Sequence, residues 1–119
     1  MFKLDRSNII LTRSDTLIIG LEVVDGDGYG ADLTGATGKF SVKKTVNDQV
    51  YVFQKDLYNH PESDLTCGTI FFKINSSDTQ SLEFEKYFYD IQIQKPVQGD
   101  EDEICTIAMG DFWVVREIT

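Results

Sequence analysis

The sequence reads as an all-β chain, a sandwich of about seven or eight short antiparallel strands with one helical turn. Three observations point there. Apolar residues alternate with polar ones at the two-residue period of a strand. Clusters of Gly, Asp, Asn and Pro separate these runs. Helical patterning is confined to one short stretch.

Taken in order, Thr16–Val24 sets Leu17, Ile19, Leu21 and Val23 on one face and Thr16, Gly20 and Glu22 on the other. Asp25–Gly28 ends that strand. The stretch from there to Thr37 is too long for a hairpin turn and reads as an arch crossing between two sheets. Leu33 is expected to cap the core under the arch, and Gly35 and Gly38 to supply backbone angles closed to other residues. Phe40 and Val42 then alternate with Lys39, Ser41 and Lys43. Asn47-Asp48 gives a tight hairpin signal. After the loop LYNHPESDLTCG, Ile70, Phe72 and Ile74 alternate with Thr69 and Lys73.

In NSSDTQSLEF, Ser77 with Gln80 three residues on forms a capping-box pattern. It predicts a helical turn near 77–82, with Leu82 dropping into the core. Along Lys86–Gln94, Tyr87, Tyr89, Ile91 and Ile93 face inward, and Lys86, Asp90, Gln92 and Gln94 face water. The charged loop Pro96–Glu103 leads to the last run, where Phe112 and Val114 oppose Trp113 and Val115.

With 119 residues the chain is expected to be a single domain over 1–119. Its 20 acidic against 11 basic residues give a net charge of −9. That argues against nucleic acid, whose phosphates call for Lys and Arg, and against an anionic membrane surface. No window approaches the roughly 18 apolar residues of a membrane span. The opening MFKLDRSNII lacks the apolar core and cleavage site of a secretory signal, so synthesis in the cytoplasm is expected. Cys67 and Cys105 are read as reduced thiols, with one disulfide between them left open.

Few groupings suggest chemistry. DGDGYGADLTG invites a calcium reading, but Tyr29 and Ala36 occupy the fifth and twelfth positions, where an EF-hand needs oxygen ligands. A looser metal site from Asp25, Asp27 and Asp32 stands against the plainer reading of a solvated turn. The carboxylates of GDEDE more often keep a hairpin soluble than bind cations. His60 is the chain's one histidine, and no G-x-S-x-G elbow or phosphate-cradling glycine loop is present. The chain is therefore expected not to be an enzyme and to need no cofactor. Phe71, Phe88 and Trp113 lie opposite core-facing neighbours. Either they form one exposed contact patch, or they pack under loops and the terminal segment.

Four stretches in order, ILTRSDTLIIGLEVVDGDG, ADLTGATGKFSVKK, GTIFFKINSSDTQSLEFEKYFYDIQIQ and CTIAMGDFWVVREIT, resemble the immunoglobulin-like domain of tailed-phage virion proteins. The N-terminal domain of siphophage baseplate upper proteins is the best-known member. Matching positions include Thr12, Arg13, Asp15, Leu33, Thr34, Gly35, Ala36, Asp78, Thr79, Leu82, Tyr87, Tyr89, Asp90, Ile91, Gly110, Phe112, Val114 and Thr119. Ser14 stands where the family has glycine, and Glu85 where a glycine often precedes the Tyr-x-Tyr strand. The family's members continue into trunk and receptor-binding regions that this sequence does not contain.

The resemblance implies an immunoglobulin-like sandwich that docks onto other virion proteins of tail, baseplate, neck or capsid surface. It implies a virion location and repeated copies meeting through a cyclic interface. Tyr87 becomes the candidate for a tyrosine corner, its hydroxyl tying a loop to the strand. The alternative is a carbohydrate- or host-surface-binding module using Trp113, Tyr29 and Tyr58, with calcium at Asp25, Asp27 and Asp32.

Overall fold

The alternating runs become strands, and their inward faces meet in one core. The computed structural model describes residues 8–116, which form seven strands in two sheets. Thr119 lies outside the described residues. The strands are β1 (Ile9–Thr12), β2 (Leu17–Glu22), β3 (Thr37–Lys43), β4 (Phe53–Asp56), β5 (Thr69–Ile74), β6 (Lys86–Lys95) and β7 (Glu103–Val115). The large sheet runs β1-β7-β6-β3-β4, and the small one pairs β2 with β5.

The expected all-β sandwich is present, with one departure in direction. β1 lies parallel to β7, with Ile9 beside Phe112 and Thr12 beside Val115. The other ladders are antiparallel.

Between the sheets, Phe40, Phe72 and Phe112 are fully buried. The Phe40 ring stacks on Tyr89 at 5.3 Å between centroids and meets Phe72 at 5.9 Å. Phe112 approaches Phe40 and Phe53 edge-on at 6.2 and 5.8 Å. These offset and edge-to-face contacts add to the burial of apolar area that drives folding. From the small sheet, Leu21, Ile70, Phe72 and Ile74 enter the same core, as the period-two reading requires.

The arch after β2 closes one end of the sandwich by direct backbone contact. The Val23 amide donates to the Gly68 carbonyl at 2.8 Å, and the Leu33 amide to the Leu65 carbonyl at 2.7 Å. A Cβ on Gly30 would lie 2.1 Å from the Cys67 carbonyl oxygen, and one on Gly68 2.2 Å from that of Val23. Only glycine permits this approach. Leu33 is buried beneath the arch. Gly35 adopts φ +78°, but Gly38 has no positive φ; its missing side chain makes room for Leu57 and Ile93.

Two local expectations shift. The helical turn is α1 (Ser76–Thr79), not 77–82. Its cap is Asn75, whose amide donates to the Asp78 carboxylate at 2.7 Å, rather than the Ser77–Gln80 pair. Leu82 follows the turn and packs against the core. Asn47-Asp48 does not form a tight hairpin. β3 and β4 do pair, with Val42 opposite Phe53, but residues 44–52 make a longer loop between them.

The corner around α1 is densely cross-linked. The turn after β1 places Ser14 at φ +71°, the conformation glycine favours, and the Ser14 amide donates to the Thr79 hydroxyl at 2.9 Å. Arg13 lies 4.0 Å from the Phe84 ring centroid and donates to the Leu82 carbonyl at 3.3 Å. Lys55, on the inward side of edge strand β4, pairs with Asp78 at 2.9 Å. The Tyr87 hydroxyl donates to the Glu83 carbonyl at 3.1 Å.

Candidate functional site

The outward side chains of β3, β6 and β7 form a face set by strand register. Lys86 sits beside Trp113, and Ile10 of β1 lies on the other side of Trp113. In the next row Phe88 lies between Lys43 and Asp111, and in the next Asp90 lies between Ser41 and Met109. A bulge follows. Ile91 pairs with Ala108 and Gln92 with Thr106, leaving Ile107 as the extra residue. Bulges bend a strand and re-aim its side chains. Beyond this one, Ile104 and Cys105 are exposed at the far end of β7.

This face holds a groove of about 340 Å³. Phe88, Asp90, Met109 and Asp111 lie along it, with Asn8, Lys43 and Val46 also in the lining. Met109 is 57% exposed and Val46 66%. At its centre Asp90 is half-buried. Among the described residues the Asp90 carboxylate has no hydrogen-bond donor and no cation within ion-pair distance. Burial pushes its pKa above the ordinary carboxylate value, and Lys43 opposes the shift from a distance. Lys43, which lines the groove, lies 5.1 Å from the Tyr51 centroid, and Lys86 in the adjoining row lies 5.0 Å from that of Phe88.

The three aromatic contact candidates do not form one patch. Phe88 and Trp113 share the outer face of the large sheet. Phe71 belongs to the small sheet, where its ring stacks on His60 at 4.0 Å under the loop of residues 57–68. Gly20 lies opposite and leaves room for the ring; a Cβ there would come within 2.7 Å of it. Phe71 therefore packs under a loop, one of the two readings open from sequence. Strand alternation alone places Asp90 on a solvated face. What pointed to more was its place among outward apolar residues, with Phe88 two positions before it.

The calcium candidates are not gathered into a site. One Asp25 carboxylate oxygen accepts the amides of Asp27 and Tyr29 at 2.8 and 3.1 Å. Asp32 accepts from the Thr34 amide at 3.0 Å and from its hydroxyl at 2.6 Å, which holds its pKa below the ordinary value. Among the described residues no three His, Cys, Asp or Glu side chains are placed to hold a metal ion. Cys67 and Cys105 are both free and exposed. No described helix is long and apolar enough to cross a membrane.

No protein-family model matches the chain, and no curated protein matches it. Among solved structures, the N-terminal domain of phage TP901-1 ORF48 is similar in fold, with a TM-score of 0.59 at 13% identity. The likeness covers 93% of this chain and 86% of that one. At that identity it is the β-rich fold, nearly end to end, that this chain shares with a phage domain.

Proposed function

We propose that the chain is a non-enzymatic structural protein of a tailed-phage virion, an attachment module that docks onto other virion proteins. The observation that carries this reading is the fold likeness to a phage domain over nearly all of both chains. The ordered motifs that resemble phage virion domains add to it from an independent direction.

The finer assignment, an immunoglobulin-like sandwich, is supported by strand order. In an immunoglobulin domain the third, sixth and seventh strands share one sheet, and the second and fifth share the other. Here β3, β6 and β7 lie together, as do β2 and β5. β4 borders β3, where variable-type domains carry their added strand, and β1 joins β7. The Tyr87 bond to the Glu83 carbonyl matches the tyrosine corner.

The test is mass spectrometry of purified particles from the producing bacterium, with the signal referred to the major tail protein. Presence in a fixed ratio is expected, and the ratio distinguishes a ring from a tube or lattice. Absence from particles while the protein is abundant in the lysate would sink the virion reading.

A further inference from the structure

We propose that the groove on the outer face of β3, β6 and β7 receives an arginine or lysine side chain carried on an extended apolar segment of another protein, with the cation on Asp90 and its aliphatic stem over Phe88 and Met109. The inference rests on the attachment reading, and gives that attachment a face and a partner chemistry.

A carboxylate drawn out of water is held at a cost unless a cation or donors meet it. The fold supplies neither to Asp90 among the described residues, although it does so for the similarly sheltered Asp78. The nearby lysines lie against Tyr51 and Phe88. The groove thus offers a carboxylate with no ion pair or hydrogen bond among the described residues, in a space of about 340 Å³ that Lys43 also lines. The surface beside it is apolar. Met109, Trp113 and Ile10 are 57%, 40% and 70% exposed, and the last two are register neighbours.

Long cationic side chains bury their stems on such surfaces while the head finds a charge. Charge also selects the occupant. A second copy would bring another −9 and its own Asp90 to the face, whereas a basic segment brings the direct ion-pair partner that Asp90 lacks among the described residues.

The test is a titration of the 15N-labelled chain with two capped heptapeptides. Both alternate Val and Thr, and they differ only at the centre, arginine in one and glutamine in the other. Amide shifts are expected at Ser41, Phe88, Asp90, Met109 and Asp111, with the arginine peptide binding about tenfold tighter. In Asp90→Asn the arginine peptide should lose about that tenfold while the glutamine peptide is unchanged. A melting temperature at or above the parent's verifies that this variant is folded.

Equal affinities, shifts confined to other strands, or no binding by either peptide would overturn the proposal. So would concentration-dependent broadening of this face without peptide, which would make a second copy the occupant. Failure here with the chain present in particles refutes the groove alone. Peptide binding by a chain absent from particles refutes the virion role alone.

Discussion

The corner around α1 and the outer face of the large sheet treat charge in opposite ways. At the corner, Lys55 and Asp78 meet at 2.9 Å, and Asp78 also takes the Asn75 amide. The Ser14 amide finds the buried Thr79 hydroxyl, and Arg13 finds both a ring and a carbonyl. On the outer face Asp90 is half-buried and makes no ion pair or hydrogen bond among the described residues. The fold satisfies its polar groups thoroughly at one place and leaves the Asp90 carboxylate without an ion pair or hydrogen bond among the described residues at another. Polar groups kept at the expense of stability are a recurring mark of functional surfaces.

The largest expected effect probes the corner. Asp78→Ala removes the partner of Lys55 and the acceptor for Asn75, and should lower stability by about 2–3 kcal/mol in urea unfolding. If the stranded lysine is the main cause, adding Lys55→Met will recover a substantial part. No recovery would shift the weight to the cap and blur the contrast.

Next in size is Thr79→Val. It keeps the shape and leaves the Ser14 amide without its acceptor, at a cost of about 1–2 kcal/mol by the same assay.

Asp90→Asn should act in the opposite sense, raising stability by up to about 1 kcal/mol after discounting for the solvent that reaches the group. Folding raises the Asp90 pKa above its ordinary 3.8, so the folded chain holds that proton more tightly than the unfolded chain. The parent's deficit against the variant is therefore absent below about pH 3.8 and grows as pH rises through the folded value. A deficit independent of pH would remove the charge explanation. Asp32 and Asp64 run the other way. Bonds from Thr34 and Thr66 lower their pKa values, so their contributions hold above 3.8 and fade as pH drops through the folded values.

The smallest effect concerns the corner's one strained residue. Ser14→Gly relieves a left-handed backbone and should stabilise by about 0.5 kcal/mol, since glycine's greater unfolded freedom offsets part of the gain. A loss instead would mean that the serine side chain has a role beyond its amide bond to Thr79.

Much of this architecture was legible because burial enforces period two. Leu17, Ile19 and Leu21, then Ile70, Phe72 and Ile74, then Tyr87 through Ile93 all face the way their alternation says. A slip by one residue would turn each set out to solvent. β1 was not legible in this way. It is four residues long, and its partner β7 lies at the other end of the sequence, so tertiary contact alone fixes the pairing and its direction.

The helical cap sits two residues before the one the sequence suggests because Asn75–Asp78 and Ser77–Gln80 are both capable patterns, and Lys55 favours the first by reaching Asp78. At the candidate site, Phe88 and Trp113 could be named as outward residues. The groove around Asp90 could not, since its lining includes Val46 and Asn8, which belong to other segments.

The parallel pairing of β1 with β7 also has a mechanical consequence. Residue 8 precedes β1 and residue 116 follows β7, and the two strands run side by side in the same direction. Tension between those points slides one strand along the other, so the rungs from Ile9–Phe112 to Thr12–Val115 are strained together rather than unzipped in turn. Resistance to such a pull is governed by the unfolding rate. This short strand would then act as a clamp, keeping the β-sandwich shut under tugging that an end-peeled hairpin would yield to at lower force.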